Sequence, residues 1–304
     1  MIRSGGGFVN VIEINNLTRD YGGGRGIFDM SLAIEKGEAF GFLGPNGAGK
    51  TTTIRHIMGF IKCQQGSCSI LGKNCFDSAD IIQKSLGYIA GEIAFMDDMT
   101  GESFIRFIAE YREVKNLGRA KEIMERFELD PKGRIKRMSK GMKQKLGILC
   151  AFIHDPDILI LDEPTSGLDP LMQSRFIDLV LEEKQRGKTI FMSSHMFEEV
   201  ERTCDRVAII KSGRLVAQDR VESIKQSKKK TYVVALKDKE DVERLSKENL
   251  QISEIHGNRV TISIRGEVDE LIKLLAGYKV EDLEVKSHSL EEAFMHYYGG
   301  EKHE

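Results

Sequence analysis

The residue types and spacing of a phosphate-binding loop occur in one run, Gly44-Pro45-Asn46-Gly47-Ala48-Gly49-Lys50-Thr51-Thr52. Glycines let the backbone bend until successive N–H groups point into one concave anion site. Lys50 is placed to reach the β- and γ-phosphates, Thr51 to ligate Mg²⁺, and Thr52 to bond a neighbouring phosphate oxygen. The pattern GxxxxGK followed by Thr therefore predicts a nucleotide site.

Two adjacent carboxylates, Asp162 and Glu163, form a second candidate group. They end the apolar run 158–161, which is typical of a strand buried on both faces. Ligands of open α/β sheets bind beyond the carboxyl ends of such strands. We expect Asp162 to hold Mg²⁺, directly or through water, and Glu163 to act as the general base on the attacking water.

Two further side chains are candidates because of their positions. His195 follows the predicted strand 189–192 and the pair Ser193-Ser194, so it could contact a γ-phosphate. Tyr21 lies between the first two predicted strands, where its ring could stack on adenine.

The elements that must position these residues can be read from the periodicity. Strand 39–43 precedes the loop, and Ile54, Ile57, Met58 and Ile61 have helical spacing after it. Other short strands are predicted at 11–17, 27–34, 67–71, 207–210 and 215–217.

A block of helices is predicted from about 77 to 150, inserted into the α/β sheet. Thr100 and Ser139 suit helix N-caps, and a helix is expected over 118–127. The stretch 132–145 is basic, with no Asp or Glu, and is typical of a solvated face or of a nearby phosphate.

The composition limits the class of protein. The 304 residues allow one large or two smaller domains, and the net charge of -2 gives no bulk attraction to nucleic acid. No apolar run approaches the roughly 18 residues of a membrane helix, and residues 1–9 are expected to be a disordered leader rather than a secretory signal. The cysteines at 63, 68, 75, 150 and 204 lack zinc-site spacing, so free thiols in a reducing cytoplasm are favoured over a metal site on the first three.

From about 10 to 225 the chain resembles the ATP-binding subunits of ATP-binding cassette (ABC) transporters. The motifs GPNGAGKTT, SKGMK, ILILDEP, SGLD and SSH stand in that family's order. SKGMK matches the family signature LSGGQ at Met138–Met142, with Ser139 and Gly141 kept and Lys140 and Met142 different. This variant is similar to the ATPases of bacterial exporters of drugs, peptides or lipids.

The resemblance implies a head-to-tail dimer, of identical chains or close paralogues, with two ATP at its interface. Ser139 and Gly141 of one subunit would face the loop, carboxylates and histidine of the other, and Asp169 would lie at the seam. It also implies an integral membrane permease as partner, a position at the cytoplasmic face of the cell membrane, and no nucleic-acid partner.

One family position is ambiguous in this chain. The family usually has Gln or Glu where the helical block leaves the sheet, and here the segment 87–92 lacks the usual proline. Glu92 is the predicted contact to Mg²⁺ or its water, with Gly91 as the alternative occupant of that position.

Residues 231–304 are predicted to be a separate α+β domain. Strands and helices in the order β-α-β-β-α-β fit a ferredoxin-like fold, with a hairpin at Gly257-Asn258 and a last helix at 290–298. Support of the dimer is the favoured role, and sensing of a small molecule is the alternative.

The predicted fold is therefore an α/β P-loop NTPase with an inserted helical subdomain and a small C-terminal domain. The predicted function is ATP hydrolysis that powers export through a separate permease. A soluble cassette ATPase that clamps ribosomes or DNA is the alternative. A P-loop GTPase or kinase is disfavoured because no NKxD motif occurs.

Overall fold

The chain divides into two compact units, Met1–Val221 and Glu222–Glu304. The structure, a computed structural model, describes residues 9–96, 98–226, 230–264 and 268–286. The predicted leader before residue 9, most of the linker around 228–230 and the predicted helix at 290–298 lie outside these ranges.

The first unit contains ten strands within the described residues. They are β1 (Asn10–Asp20), β2 (Gly26–Glu35), β3 (Ala39–Leu43), β4 (Gln65–Ile70), β5 (Lys73–Asn74), β6 (Leu86–Ile89), β7 (Ile158–Asp162), β8 (Thr189–Ser194), β9 (Arg206–Lys211) and β10 (Arg214–Arg220). One sheet is antiparallel, with the order β2-β1-β4-β5, and the other has the order β10-β9-β3-β8-β7-β6. All neighbours in the second sheet are parallel except β9 and β10.

The helices of this unit lie between and around the two sheets. They are α1 (Lys50–Ile57), α2 (Ala79–Ile82), α3 (Gly101–Tyr111), α4 (Gly118–Arg126), α5 (Lys140–Phe152), α6 (Pro170–Gln185) and α7 (Phe197–Thr203), followed at the boundary by α8 (Val221–Gln226). Ile54 and Ile57 of α1 are fully buried in the core that β1, β2 and β4 share with the larger sheet.

The central strands of the larger sheet fix where the site can form. Every residue of β3, β7 and β8 is buried, as the continuous apolar runs predict. In the parallel register Leu43 pairs with Ser194, and Asp162 pairs with Ser193. The carboxyl ends of these three strands therefore meet at one edge of the sheet.

The helical block is interrupted by a strand that the sequence prediction did not separate from it. Leu86–Ile89 pairs in parallel with β7 and forms the edge strand β6. A Cβ at Gly87 would lie 2.3 Å from the carbonyl oxygen of Ala151, so only glycine lets β6 approach α5 this closely.

The predicted caps of the helical block are confirmed. The Thr100 hydroxyl accepts a hydrogen bond from the Ser103 amide at 3.2 Å at the start of α3, and the Ser139 hydroxyl accepts one from the Met142 amide at 3.2 Å at the start of α5. Ion pairs join α4 to α6, including Arg126 with Glu182 at 2.6 Å.

The second unit is a small α+β domain. Its elements are β11 (Lys230–Leu236), α9 (Lys239–Leu245), β12 (Gln251–His256), β13 (Arg259–Ile264), α10 (Val268–Leu275) and β14 (Val280–Lys286). The sheet order β12-β13-β11-β14 is antiparallel throughout, which is the ferredoxin-like arrangement. Tyr232, Val234 and Leu236 form the centre of its core together with residues of both helices.

One contact between α5 and β6 makes stability depend on pH. The Nε2 atom of His154, just after α5, lies 3.0 Å from the Leu86 carbonyl oxygen and donates to it in the neutral imidazole. Burial, with a further contribution from the Arg112 cation, lowers the pKa of His154 from 6.5 to about 4.

We predict that the free energy of unfolding of the first unit falls as the pH drops from 6.5 towards 4. In this window the unfolded chain binds a proton at His154 that the folded chain excludes, so protonation favours unfolding. Complete burial would make the loss roughly 3 kcal/mol, and partial exposure reduces it to about 1–2 kcal/mol. Urea unfolding of the wild type and of His154→Gln, which keeps a donor without titrating, measures it. Equal pH dependence in both proteins would contradict this prediction.

Candidate active site

The glycine-rich run joins β3 to α1, as predicted. Gly49 precedes the helix with φ 112°, a backbone conformation that favours glycine, and no side chain caps the helix start. The first-turn amides and the positive end of the helix dipole therefore remain available to an anion.

Lys50 is the first residue of this helix and is buried. Its Nζ atom donates to the carbonyl oxygens of Gly44 at 2.6 Å and Pro45 at 3.3 Å, and lies 3.0 Å from Glu163 Oε1. The loop carbonyls and the carboxylate keep the buried ammonium solvated by protein oxygens.

Asp162 ends β7 and is completely buried. Ser193 donates a hydrogen bond to Oδ1, whereas Oδ2 has no hydrogen-bond partner among the described residues. Burial raises the pKa of Asp162, and the hydroxyls of Ser193 and Thr51 oppose that effect. A buried carboxylate oxygen left open beside a threonine hydroxyl fits a hard cation such as Mg²⁺.

Glu163 lies between two basic groups. Its backbone has φ 47°, and its amide donates to the Ser193 carbonyl oxygen at 3.1 Å. Oε1 pairs with Lys50, and Oε2 is hydrogen-bonded to Nδ1 of His195. The arrangement joins the ends of β7 and β8 to the start of α1 through one carboxylate.

The signature segment and the turn after β7 contact each other. A Cβ at Gly141 would lie 2.8 Å from the Gly167 carbonyl oxygen, and Lys140 Nζ donates to the Ser166 hydroxyl at 3.0 Å. Asp169 caps α6 by accepting from the Met172 amide at 3.0 Å. The sequence did not assign this capping role to Asp169, although Asp before Pro is a helix-start signal.

A cavity of about 820 Å³ lies over the glycine-rich loop. Of the predicted residues it is lined by Pro45, Asn46, Gly47, Gly49, Lys50, Thr51, Thr52, Glu92 and Glu163. It is not lined by Tyr21, Gly44, Ala48, Ser139, Gly141, Asp162, Asp169 or His195. Asp162 and His195 still contact this site through Ser193 and Glu163, whereas Ser139, Gly141 and Asp169 do not reach the cavity.

Other residues line the cavity that the motifs did not reveal. They include Arg25, Arg55, Phe60, Tyr88 and Ser212. They come from four different segments, of which α1 and the turn after it supply Arg55 and Phe60, so no local pattern marks them. Tyr21 itself is 46% exposed, and its ring lies 5.1 Å from the Arg19 guanidinium.

Both candidates for the family's Gln or Glu position, Gly91 and Glu92, lie beside the cavity. Gly91 and Glu92 both line the cavity, and Glu92 is exposed. A Cβ at Gly91 would lie 3.1 Å from Asp162 Oδ2, so residue 91 is in direct contact with the predicted cation ligand.

The five cysteines are free thiols, as predicted. Cys68, Cys75 and Cys204 are buried, and Cys63 and Cys150 are half-buried. Within the described ranges no group of three or more Cys, His, Asp or Glu side chains could hold a metal ion.

Comparison with known proteins agrees with the motif order. The family model described as ABC transporter matches residues 27–166. YhcH of Bacillus subtilis (strain 168), an uncharacterised ABC transporter ATP-binding protein, is 33% identical over 97% of this chain and 98% of its own length. This chain belongs to the ABC transporter ATP-binding proteins. The bacitracin transport ATP-binding protein BcrA of Bacillus licheniformis is also 33% identical, over 95% of this chain and 98% of its own.

Solved structures show the same fold. An ATP-binding subunit of an ABC transporter is 30% identical, with a TM-score of 0.65 over 71% of this chain and 92% of that one. A dimeric bacterial ABC transporter cassette, 22% identical, has a TM-score of 0.62 over 69% of this chain and 98% of that one. The ABC ATP-binding protein is thus an ATPase of the P-loop class. Membership of this family excludes the alternatives of a P-loop GTPase or a kinase. In the described part of the chain, no helix combines the length and apolarity needed to span a bilayer.

We predict that Lys50→Ala weakens ATP binding about tenfold to a hundredfold, because charge-assisted hydrogen bonds contribute about 1.5–3 kcal/mol each. Calorimetric titration with a non-hydrolysable ATP analogue measures the change. Lys73→Ala, at an exposed lysine of β5, is the control and should bind as the wild type does. Unchanged affinity in Lys50→Ala would contradict the assignment.

Proposed function

We propose that two copies of this ABC ATP-binding protein, or one copy and a close paralogue, dimerise head to tail around two ATP and power export through a separate membrane permease. One observation supports the dimer. The motif residues Ser139, Gly141 and Asp169 do not line the cavity over the glycine-rich loop. A single chain therefore offers an incomplete set of the motif residues to a nucleotide.

In this proposal the loop Gly44–Thr52 holds the phosphates, with Lys50 on the β- and γ-phosphates. Thr51 and Asp162 hold Mg²⁺, supported by the unpartnered Asp162 Oδ2, and Glu92 contacts the ion or its water. Mg²⁺ would neutralise charge on the phosphate oxygens.

Glu163 is proposed as the general base for hydrolysis. A carboxylate that accepts a proton from the attacking water needs a partner that orients it, and His195 is bonded to Oε2. His195 would also respond to the γ-phosphate in this proposal, since it follows the strand β8 that pairs with both β3 and β7.

Ser139 and Gly141 of the second copy would complete the site. Ser139 caps α5, and the remaining amides at the start of that helix could stabilise charge on the γ-phosphate. Ser166–Asp169 would lie at the seam because Gly167 contacts Gly141 directly.

A role in transport is supported by the likeness to BcrA, described as a bacitracin transport ATP-binding protein, over nearly the whole chain. The export direction is proposed from the signature variant SKGMK. Coupling to an integral permease at the cytoplasmic face of the cell membrane is part of the proposal, because the chain belongs to the ABC transporter ATP-binding proteins. The alternative, a clamp on ribosomes or DNA, is less well supported, because these relatives are transporter subunits and the net charge is -2. Co-purification with a membrane protein, rather than with nucleic acid, distinguishes the two.

The second unit is proposed to support the dimer. Deletion of residues 231–304 tests this, because loss of ATP-dependent dimerisation would support it. Retained dimerisation with altered control of hydrolysis would favour the small-molecule sensor.

We predict that Glu163→Gln lowers ATP turnover about 10²- to 10⁴-fold and accumulates an ATP-bound dimer. The amide keeps the shape of the side chain but cannot act as a base, so the dimer forms and does not hydrolyse its nucleotide. Phosphate release and size-exclusion chromatography with Mg·ATP measure both effects. Glu198→Gln, at an exposed glutamate, is the matched control. Wild-type turnover in Glu163→Gln would refute the general-base assignment.

A second substitution in that background tests the composite site. We predict that Ser139→Arg added to Glu163→Gln abolishes the dimer but leaves ATP affinity of the monomer within about twofold, because Ser139 does not line the chain's own cavity. Analytical ultracentrifugation and calorimetry give the two readouts. If both dimerisation and monomer affinity were retained, or both were lost, the head-to-tail arrangement would be wrong.

A further inference from the structure

The imidazole of His195 is not held in place by packing. Its side chain is 53% exposed, and Nδ1 is hydrogen-bonded to Glu163 Oε2. In the described part of the chain, His195 makes no second side-chain hydrogen bond. The position of the ring therefore depends on the backbone of the two residues on either side, Ser194 and Met196.

A single hydroxyl group connects those two residues. Ser194 is the last residue of β8, pairs with Leu43 of β3 and is 1% exposed. Its Oγ atom accepts a hydrogen bond from the Met196 amide at 2.9 Å and donates one to Glu199 Oε2 at 2.6 Å. The Ser194 hydroxyl thus joins both neighbours of His195 to α7.

The helix α7 is a fixed support for Glu199. Val200 is fully buried, and a Cβ at Gly41 would lie 2.3 Å from Val200 Cγ1, so glycine in β3 lets α7 approach the sheet this closely. The Thr203 hydroxyl donates to the Glu199 carbonyl oxygen at 2.7 Å. Glu199 therefore reaches Ser194 from a helix that is packed directly on the central sheet.

Glu199 is a buried carboxyl group without a partner cation among the described residues. It is 3% exposed and makes no ion pair there. Its Oε1 atom has no hydrogen-bond partner in the same ranges, and the side chain borders a cavity of about 160 Å³. Burial raises the pKa of Glu199, and the Ser194 hydroxyl opposes that effect. Because a buried carboxyl group without a partner charge costs stability, stability does not account for this residue.

We propose that Glu199 is a positioning residue for His195. Glu199 Oε2 takes the hydroxyl proton of Ser194, which leaves the Ser194 oxygen free to accept from the Met196 amide. The backbone around His195 is then fixed where the imidazole meets Glu163. The inference rests on the proposed roles of Glu163 and His195 in hydrolysis. Glu199 does not line the nucleotide cavity, so it is expected to affect turnover and not ATP binding.

Steady-state ATP hydrolysis by the full-length protein with Mg·ATP tests the proposal, with each rate divided by the number of ATP-binding sites found by calorimetry. Glu199→Leu and Ser194→Ala should each lower kcat about tenfold to a hundredfold and leave KM within about twofold, because a shift of about 1 Å in a reacting group costs this much. Glu199→Gln keeps a carbonyl oxygen for Ser194 and should stay within about threefold of the wild-type kcat. Glu198→Leu, at the exposed neighbour in α7, is the matched control and should behave as the wild type does.

A spectroscopic readout separates positioning from a general structural role. In protein labelled with ¹³C-histidine, the Cε1–H signal of His195 is identified by its loss in His195→Gln. This signal should shift in Glu199→Leu and Ser194→Ala and keep its wild-type position in Glu199→Gln. The signal of His256, in the second unit, should stay unchanged in all variants and serves as the reference.

Three results would overturn the proposal. Wild-type kcat in Glu199→Leu and Ser194→Ala would remove Glu199 from the reaction. An equal loss of kcat in Glu199→Gln and Glu199→Leu would assign the effect to charge and not to the hydrogen bond, and a lowered kcat with an unmoved His195 signal would show an effect that bypasses His195. Ser194→Ala carries the same test if Glu199→Leu does not fold. None of these results alters the expected loss of turnover in Glu163→Gln, so failure here is distinguishable from failure of the proposed function.

Discussion

One carboxylate, Glu163, holds the candidate site together. Among the described residues, Glu163 alone contacts both Lys50 at the start of α1 and His195 after β8. Without a nucleotide, the buried Lys50 ammonium needs this charge, because an isolated buried cation is costly. A phosphate bound in the loop would compete with Glu163 for Lys50. The same contact that stabilises the free protein therefore makes Glu163 respond to the ligand.

The parallel register creates this contact. Leu43 pairs with Ser194, and Ser193 pairs with Asp162, so three strand ends that are distant in sequence lie side by side. Ser193 then bonds both Asp162 and the Glu163 amide. A one-residue slip of β8 would turn Ser193 to the opposite face of the sheet. The geometry of the candidate site is thus a consequence of strand pairing more than of any loop.

The sequence was most informative where the signal is local. The caps at Thr100 and Ser139, the buried strand before Asp162 and the β-α-β-β-α-β order were predictable because each depends on neighbouring residue types. Strand β6 was hidden in the helical block, since four residues that include Gly87 carry too little periodicity. The wall of the cavity could not be predicted either. Arg25, Tyr88 and Ser212 meet only because the start of β2, from the antiparallel sheet, and strands β6 and β9 of the larger sheet lie around one loop.

Residues 91 and 92 lie at the border between the nucleotide cavity and a neighbouring cavity. Gly91 and Glu92 line the nucleotide cavity and also a neighbouring cavity of about 380 Å³, which Lys140 of the signature helix borders. Gly91 has no side chain to fill the space beside Asp162 Oδ2, which is buried and has no hydrogen-bond partner among the described residues. The Cβ atom of any side chain at position 91 would lie 3.1 Å from that oxygen. A glycine at position 91 therefore leaves room beside the proposed cation ligand Asp162, and the exposed Glu92 lines both cavities.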